Sequence, residues 1–532
     1  MPKKTSPTLL IILDGWGVAP PSRGNAITLA KTPTFLDLKN KYPYTELCAS
    51  GKCVGLPVKQ DGNSEAGHLN LGAGRIVKAD AVYISESIKD GTFSKNPIFL
   101  EGINYAKKNH SKIHLMGLIT EEQSAHSSPE HWLAMLNFLD QRKVNEVYLH
   151  LFTDGRDSPQ HAAINIIRRF ENKLRNTHEY NSHYGVNKSG RGQVKIASIC
   201  GRFYAMDRNK DWDRISKVYN LLVLGEGLKV RSAEEAIVQA YNRSETDEFI
   251  LPSIICKNNQ PVATIGDKDV VVFMNLRSDR ARELAKAFTQ KDFNKQNPGS
   301  FHRRRWSEEI FFIALSDFGP DLDLVRTAYP SRLITDSLPL VLKNYRQLYL
   351  AESEKFAHMT FFFNGGYDHP VNGEQRLMVP SAQVKSYDLK PEMSAAEITK
   401  NILKNISEFD FMAINFANPD MLGHTGNLEA TIKGLEFTDH CLAKIVDKLK
   451  ELNGSLVLTA DHGNAEEMIN LATDEIDTQH STNPVPCILV SSEYKKAELR
   501  PGGNLADVAP TILDLMGVER PSDMKGKSLI TK

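Results

Sequence analysis

Residues 8–17 read TLLIILDGWG, a short apolar run that ends abruptly in an aspartate and a glycine. Consecutive aliphatic residues of this kind are typical of a strand that is buried on both faces, as in parallel sheets covered by helices. In such sheets, ligands bind beyond the carboxyl ends of the strands. Asp14 therefore stands where a site residue is expected.

The same pattern recurs along the chain. Longer amphipathic segments separate the apolar runs, and Leu428 to Leu449 is a predicted helix among them. Alternation of strands and helices indicates an α/β protein with mostly parallel sheets. The further predicted strands are Ile113 to Met116, Val147 to Phe152, Ile196 to Cys200, Val270 to Leu276, Phe311 to Leu315, Phe411 to Phe416 and Ser455 to Thr459.

Length and composition exclude several classes of protein. The 532 residues include 65 Lys plus Arg and 65 Asp plus Glu, and 41% are hydrophobic, which is typical of a soluble globular protein. The zero net charge argues against nucleic acid as a partner. No apolar run approaches the ~20 residues of a transmembrane helix, so no membrane partner is expected. Six cysteines without a CxxC pair predict no disulfide framework and indicate a reducing, cytoplasmic location.

The polar residues that follow the strands show two chemistries. Near both ends of the chain they are Asp and His, whereas in the middle they are Arg. This division predicts a discontinuous metal-binding domain, residues 1–81 and 327–532, interrupted by an anion-binding domain at residues 82–318, with a hinge at 319–326. Residues 176–193 are poor in apolar side chains and predict a surface loop.

Asp and His residues after the terminal strands predict a metal site. Asp420 and His424 are four residues apart, so on one helical turn both point the same way. Asp461 and His462 are adjacent at a strand end, where successive side chains diverge and could serve two ions. A DxxxH pair alone is common by chance, so the prediction depends on the full set. That set has enough oxygen and nitrogen donors for two divalent ions: Asp14, Asp420, Asp461, His424, His462 and His480.

Residues 61–75 read DGNSEAGHLNLGAGR and suggest a nucleophile. Gly62 and Asn63 favour a tight turn before Ser64, and the residues that follow can open a helix. A serine at this junction lies near backbone N–H groups that favour anions, and metal coordination lowers the pKa of its hydroxyl. The alternative is that Ser64 only caps the helix, and this stretch alone favours that alternative.

Eight motifs span nearly the whole chain, and their order carries a resemblance. They are LDGWG (13–17), GNSEAGHLNLGAGR (62–75), DGRDSP (154–159), GRFYAMDR (201–208), EKFAHMTFFFNGG (354–366), NPDMLGHTG (418–426), TADHGNAEEM (459–468) and HSTNPVP (480–486). Together they resemble the cofactor-independent phosphoglycerate mutases. TADHGN alone would indicate only the wider alkaline-phosphatase-like superfamily.

The resemblance implies the fold and the reaction. The fold is an alkaline-phosphatase-like three-layer domain with a mostly parallel sheet, into which an α/β substrate-binding domain is inserted. The reaction is the interconversion of 3-phosphoglycerate and 2-phosphoglycerate by a monomer, without bisphosphoglycerate and through a phosphoserine at Ser64. Two divalent ions, expected to be Mn(II), would be held by Asp14, Ser64, Asp461 and His462 and by Asp420, His424 and His480.

The resemblance also implies the substrate residues. The inserted domain would hold the glycerate through His126, Arg156, Asp157, Arg202, Arg208, Arg277 and Arg280. Arginine suits this role because its planar fork binds a carboxylate or phosphate through two hydrogen bonds. Asp157 is the expected acid/base group, and Lys355 is the expected catalytic lysine of the metal-bearing domain. Two alternatives stay open: Arg280 could pair with Asp279, and Lys355 could be an exposed charge.

Retention of the glycerate while it reorients would require the two domains to close about the hinge.

Two departures from the family pattern stand out. TEEQSAHSS, residues 120–128, replaces the usual SDGGVHSH and leaves the position of His126 open, and Asp61 stands where the family usually has Met. The competing functions are a metal-dependent phosphomonoesterase or another phosphomutase of the same superfamily and, more remotely, a non-catalytic metal-binding scaffold. The arginine-bearing insert favours the mutase.

Overall fold

The computed structural model describes residues 6–121, 124–175, 193–319, 321–322 and 324–531. The chain divides into two compact units, Met1–Ala79 with Arg332–Lys532, and Asp80–Ser331. The first unit is thus discontinuous in sequence. The loop predicted at residues 176–193 lies outside the described residues except for Gln193, which begins a strand.

The strands are named in chain order. They are β1 (Thr8–Leu13), β2 (Tyr44–Cys48), β3 (Ile113–Leu118), β4 (Glu146–Thr153), β5 (Gln193–Gly201), β6 (Leu228–Val230), β7 (Ser253–Lys257), β8 (Gln260–Pro261), β9 (Val270–Phe273), β10 (Phe311–Ser316), β11 (Val325–Tyr329), β12 (Gln347–Glu352), β13 (Gln375–Val379), β14 (Phe411–Phe416), β15 (Ser455–Thr459), β16 (Val485–Val490), β17 (Glu498–Leu499), β18 (Gly503–Asn504) and β19 (Ile530–Thr531).

The α-helices are named in the same way. In the described ranges, none of them is both long and apolar enough to cross a membrane. They are α1 (Ala26–Leu29), α2 (Pro33–Lys41), α3 (Ser64–Ala73), α4 (Asp80–Lys89), α5 (Pro97–Asn109), α6 (Pro129–Gln141), α7 (Ala163–Arg175), α8 (Arg202–Ala205), α9 (Trp212–Leu224), α10 (Ala233–Asn242), α11 (Arg282–Thr289), α12 (Phe293–Gln296), α13 (Leu338–Val341), α14 (Ala395–Asn405), α15 (Asn418–Gly423), α16 (Leu428–Glu451) and α17 (Val508–Leu515).

The first unit is built on a sheet that has eight strands among the described residues, in the order β13-β12-β14-β1-β15-β16-β2-β18. The strands from β13 to β15 are parallel, and β16 runs antiparallel to both of its neighbours. Leu13 pairs with Phe416 and Ile12 pairs with Thr459, so β1, β14 and β15 end at the same edge. This register brings together three chain segments that are far apart in sequence.

The second unit contains a sheet that, in the part of the chain described, follows the path β11-β10-β9-β3-β4-β5-β7-β6, with β8 paired to β7. The strands from β11 to β5 are parallel. Alternate residues of β9 enter two different cores: Val270 and Val272 pack with α5 and α6, and Val271 and Phe273 pack with α9 and α11. Helices therefore cover both faces, which explains why the strands are continuous apolar runs.

The predicted fold class, two α/β units with mostly parallel sheets, is confirmed. Some predicted strand bounds are wrong: β3 ends at Leu118 and β5 begins at Gln193, two and three residues beyond the predicted bounds. Strand β9 ends at Phe273 rather than Leu276, because the N–H of Leu276 leaves the ladder and donates to the carbonyl oxygen of His126 at 2.9 Å. The unit boundaries fall at 79/80 and 331/332. The roles assigned to the two domains from the sequence stay predictions.

One covalent feature was not expected from the sequence. Cys48 and Cys53 form a disulfide with their Cα atoms 5.8 Å apart. Cys200, Cys256, Cys441 and Cys487 are free. The pair is not a CxxC motif, and six cysteines in so long a chain predicted no disulfide framework.

Candidate functional site

Ser64 begins α3 but does not cap it. The neighbouring residue Asn63 is the N-cap, and its side-chain oxygen accepts a hydrogen bond from the N–H of Ala66 at 2.9 Å. The hydroxyl of Ser64 is buried and lies 3.0 Å from Nε2 of His462 and 2.8 Å from Nζ of Lys355. The alternative in which Ser64 only caps the helix is therefore wrong.

A close approach of α3 to the sheet edge depends on a glycine. A Cβ atom on Gly67 would lie 2.7 Å from both Cβ and the carbonyl oxygen of Asp461. Since real Cβ atoms do not make contacts this short, a larger residue would push the helix, and Ser64 with it, away from β15. The glycine three residues after Ser64 therefore helps to place the hydroxyl among the charged groups.

One group of candidate metal ligands joins the ends of β1 and β15. It comprises Asp14, Asp461 and His462, all buried, with ligand atoms within 4.8 Å of one another. Nδ1 of His462 lies 3.2 Å from the carbonyl oxygen of Gly463, which only accepts hydrogen bonds. Nδ1 therefore carries the proton, and the lone pair of Nε2 faces Ser64.

The position of Asp461 and His462 after a strand predicted that their side chains would diverge towards two metal ions. This prediction is wrong. Both belong to the same group as Asp14. The physical reason is that β15 ends at Thr459, so Asp461 and His462 lie in a turn, where the alternation of side chains along a strand no longer applies.

A second group comprises Asp420, His424 and His480. The Nε2 atoms of the two histidines are 3.0 Å apart and lie 3.3 and 3.2 Å from Oδ1 of Asp420. Their Nδ1 atoms donate to the carbonyl oxygens of Thr478 and Gly62 at 2.7 and 2.8 Å. The two Nε2 atoms therefore converge with Oδ1 of Asp420, an arrangement that a cation between them would stabilise. With a carboxylate oxygen as third donor, the set fits a divalent metal.

Lys355 links the two groups and is not an exposed charge. It lies in the turn after β12 and is buried. Its Nζ is 2.8 Å from Oδ1 of Asp14, 2.6 Å from Oδ2 of Asp420 and 2.8 Å from Oγ of Ser64. The ammonium group thus contacts one carboxylate of each group and the serine hydroxyl at the same time.

The buried carboxylates differ in their electrostatic state. Burial and the neighbouring Asp461 raise the pKa of Asp14 to about 6. Burial also acts to raise the pKa of Asp420, but the Lys355 ammonium outweighs it and holds this pKa well below its ordinary value. The site therefore concentrates negative charge that one lysine only partly offsets, as expected where divalent cations bind.

In the second unit, the predicted substrate residues follow the ends of β4 and β5. Arg202 is buried, and its Nη1 lies 2.6 Å from Oδ1 of Asp154 and 3.1 Å from Oδ2 of Asp157. Arg156 is exposed and lies 3.6 Å from Glu248. Asp154 was not identified from the sequence. It accepts hydrogen bonds from the backbone N–H groups of Arg156 and Asp157 and so shapes the DGRD turn.

The other predicted arginines of this unit surround Asp279. Its carboxylate lies 3.3 Å from Nε of Arg277 and 3.5 Å from Nη1 of Arg208. Arg280 donates to the carbonyl oxygen of Met206 at 3.3 Å. Burial and the neighbouring guanidinium groups, Arg208 first among them, lower the pKa of Arg280. Several positive charges are therefore held close together, which suits an anionic ligand.

His126 joins this cluster although the residues around it depart from the family pattern. The N–H of Leu276, three residues after the end of β9, donates to its carbonyl oxygen at 2.9 Å. Burial, followed by the charges of Arg202 and Arg277, lowers the pKa of His126 to about 3. His126 is therefore neutral at neutral pH and can accept or donate a hydrogen bond among the arginines.

Comparisons with known proteins agree with this geometry. Residues 6–520 match the model of the Metalloenzyme superfamily. The 2,3-bisphosphoglycerate-independent phosphoglycerate mutase of Clostridioides difficile strain 630 is 44% identical over 532 residues, covering 99% of each chain. The enzyme of the same name from Clostridium perfringens strain SM101 is 43% identical over 530 residues, also covering 99% of each. The chain belongs to this mutase family.

A solved structure supports the family assignment. The crystal structure of Leishmania mexicana phosphoglycerate mutase at low cobalt concentration superposes with a TM-score of 0.73 at 29% identity, covering 99% of this chain and 98% of that one. The resemblance inferred from the eight motifs is thereby confirmed, and the mutase family and its metalloenzyme superfamily account for the divalent-metal chemistry of the donor groups.

Three residues of this mutase-family chain hold ligand side chains in place and were not identified from the sequence. His68 Nδ1 donates to the carbonyl oxygen of Ser64 at 2.9 Å and lies 3.1 Å from Oδ2 of Asp461, and His68 Nε2 lies 3.0 Å from Nδ2 of Asn415. Asn415 donates to Oδ2 of Asp14 at 2.7 Å. Asn464 donates to Oδ1 of Asp420 at 2.9 Å. A lone polar residue inside the apolar run of β14 was the available signal for Asn415.

Proposed function

We propose that this protein interconverts 3-phosphoglycerate and 2-phosphoglycerate without bisphosphoglycerate, through a phosphoserine at Ser64. The observation that carries the proposal is one buried serine hydroxyl, 2.8 Å from the Lys355 ammonium and 3.0 Å from Nε2 of His462, beside two groups of metal donors. The names of the relatives from Clostridioides difficile and Clostridium perfringens support the independence from bisphosphoglycerate.

Two divalent ions, for which we propose Mn(II), complete the site. Asp14, Ser64, Asp461 and His462 are proposed to hold one ion, and Asp420, His424 and His480 the other. Carboxylate oxygens with imidazole nitrogens suit Mn(II). When bound, such ions lower the pKa of a serine hydroxyl and offset the charge of phosphoryl oxygens.

The protein's own residues prepare Ser64 for the transfer. The Lys355 ammonium is fixed by Asp14 and Asp420, so it can donate to the serine oxygen without reorientation and stabilise its ionised form. Ser64 is the first residue of the ten-residue helix α3, whose first-turn N–H groups favour a negatively charged phosphoryl group. We therefore propose that Ser64 and Lys355 are catalytic residues.

The second unit is proposed to bind the glycerate through His126, Arg156, Arg202, Arg208, Arg277 and Arg280. Asp157 is proposed as the group that takes the proton of the incoming glycerate hydroxyl. Arg202 Nη1 lies 3.1 Å from Oδ2 of Asp157 and would hold this carboxylate in position for the step. On the same basis we propose that the first unit is the metal and phosphoserine domain and the second the substrate domain.

An enolase-coupled assay without added bisphosphoglycerate tests the reaction. The wild-type protein with Mn(II) should convert 3-phosphoglycerate, and chelation of the metal should stop conversion. Ser64→Ala should abolish activity while the protein stays folded by circular dichroism. Ser492→Ala, at an exposed serine of the same unit, is the control and should retain full activity. Mutase activity in Ser64→Ala would contradict the phosphoserine route.

The phosphomonoesterase alternative is tested with the same protein. An aryl phosphate and a ribose phosphate should turn over far more slowly than 3-phosphoglycerate, because the arginine cluster of the second unit offers carboxylate recognition that neither compound uses. Faster release of inorganic phosphate from the aryl phosphate than isomerisation of phosphoglycerate would favour the phosphomonoesterase.

We also propose that the protein acts as a monomer on its small-molecule substrate in the cytoplasm. Support for this comes from the family resemblance. Light scattering over a range of concentrations should give the chain mass of 59.5 kDa. A mass that rises to twice this value would contradict the monomer.

A further inference from the structure

The Cys48–Cys53 disulfide closes a short loop between β2 and the segment that leads to Ser64. Both cysteines are half-buried, so reagents in solution can reach them. By contrast, Cys200, Cys441 and Cys487 are buried, and burial raises the pKa of these three thiols. Because the thiolate is the reactive form, thiol chemistry is directed to the half-buried cysteines, Cys48, Cys53 and Cys256, of which Cys48 and Cys53 lie close enough to pair.

The loop inside the disulfide is bonded to segments on either side of the site. The N–H of Gly51 donates to the carbonyl oxygen of Gln60 at 2.9 Å. The hydroxyl of Ser50 donates to the carbonyl oxygen of Thr482 at 3.0 Å. Gln60 lies four residues before the nucleophile, and Thr482 lies two residues after the proposed ligand His480. The loop therefore joins the two segments.

Gly62 connects the loop to the site itself. A Cβ atom on Gly62 would lie 2.4 Å from the carbonyl oxygen of Ala49 and 2.7 Å from Cβ of His462, so the loop backbone packs directly against it. The carbonyl oxygen of Gly62 accepts the hydrogen bond from Nδ1 of His480. A shift of residues 49–51 would thus move both Ser64 and the orientation of His480.

We propose that Cys48 and Cys53 form a reversible thiol–disulfide site whose oxidised state holds the Ser64 segment in place. The oxidant is a small-molecule disulfide of the oxidised glutathione class, an anion that the exposed Lys52 and Lys59 beside the loop would attract. One cysteine thiolate attacks the glutathione disulfide and releases one glutathione as a thiol. The other thiolate then attacks the mixed disulfide and releases the second glutathione.

Two measurements test the site without reference to catalysis. After equilibration of the full-length protein in glutathione buffers, alkylation and mass spectrometry should show Cys48 and Cys53 passing together between the free and blocked states, while Cys256 stays free. Hydrogen exchange of residues 49–62 should be several-fold faster in the reduced protein. Cysteines that never pair in oxidised glutathione, or equal exchange in both states, would overturn the proposal.

A third measurement rests on the proposed function. Reduction should lower kcat for phosphoglycerate by about threefold or more, because a loosely held nucleophile spends less time in the reactive geometry. The double variant Cys48→Ser, Cys53→Ser should have the kcat of the reduced wild type, and this kcat should not change with the glutathione redox state. The kcat of Cys256→Ser should respond to glutathione as that of the wild type does. Equal kcat in both redox states would overturn the control of Ser64. A protein inactive in both states would contradict the proposed function instead, and the exchange data would still decide this inference.

Discussion

At the scale of single residues, Lys355 is the cation that contacts a carboxylate of each metal-donor group. It is buried against two carboxylates, and although burial lowers its pKa, Asp14 and Asp420 raise that pKa above its ordinary value, so it stays charged. Lys355→Met should lower kcat by roughly 100-fold, since it removes a preorganised donor from the serine oxygen. Lys404→Met, at an exposed lysine of the same unit, is the control and should match wild type in the coupled assay. A kcat for Lys355→Met near that of wild type would show that the metal ions alone prepare the serine.

His68 is a positioning residue that touches Asp461 and Asn415 rather than the substrate. His68→Asn should weaken Mn(II) affinity about 10- to 100-fold, the usual cost of removing a group that orients a ligand. Metal titration followed by calorimetry measures this directly. His440→Asn replaces an exposed histidine and should bind Mn(II) like wild type. Unchanged affinity in His68→Asn would mean that Asp461 is oriented without it.

These residues show where sequence patterns stop being informative. Asp14, Asp420 and Asp461 were predictable because each follows an apolar run with a glycine or histidine nearby. Asn415 and His68 were not predictable, because each contacts a residue that is hundreds of positions away in the sequence. Asn415 contacts Asp14, and His68 contacts Asp461. Local pattern does not determine which strands lie side by side.

At the scale of elements, the N-terminus of α3 determines where Ser64 lies. Asn63→Ala removes the cap and should cost about 1 kcal/mol of unfolding free energy. It should also lower kcat, because the first turn then frays at the nucleophile. Ser232 caps α10 in the same way, with its hydroxyl accepting from the N–H of Glu235. Ser232→Ala should therefore lose a similar unfolding free energy in urea but keep its kcat. If Ser232→Ala lost as much kcat as Asn63→Ala, the loss in both variants would come from general destabilisation and not from the position of Ser64.

Helix α11 carries a buried acid with a testable pH dependence. Burial and the nearby Asp207 raise the pKa of Glu283 from its ordinary 4.5 to about 7. The hydrogen bond from the N–H of Lys210 acts in the opposite direction but is outweighed. A folded-state pKa above the unfolded one means that the protonated form is favoured. The stability from this group is complete below about pH 4.5 and is lost as pH rises through 7. Urea unfolding should show wild type losing stability relative to Glu283→Gln between these values. For Glu429→Gln, which replaces an exposed glutamate, the unfolding free energy should change with pH as it does in the wild type. If Glu283→Gln also followed the wild-type pH dependence, the raised pKa of Glu283 would be contradicted.

The strands also differ in how far sequence could define them. β1, β14 and β15 were predicted with their observed bounds because each is a continuous buried run. β2 has a polar, partly exposed pattern, and β16 contains Pro486, which argues against a strand inside a sheet. Tertiary packing against antiparallel neighbours keeps these two segments extended despite their local sequence.

At the scale of the whole molecule, the proposed function divides the chemistry between the two units. Ser64 and the candidate metal donors belong to one unit, and the arginine cluster belongs to the other. If the second unit retains the glycerate, weakening it should expose the phosphoserine to water. The protein would then lose mutase activity and gain phosphatase activity, rather than lose both together.

Arg280→Gln tests this division of labour. Burial and neighbouring arginines disfavour the charge of Arg280, so its removal should not destabilise the second unit. Loss of one charge-assisted contact to glycerate should raise the ratio of inorganic phosphate release to isomerisation by roughly tenfold. Both products are measured in one reaction, with Arg231→Gln, an exposed arginine of the same unit, as the control. If isomerisation and hydrolysis fall by the same factor, the arginine acts on the phosphoryl transfer itself and the glycerate is retained by other means.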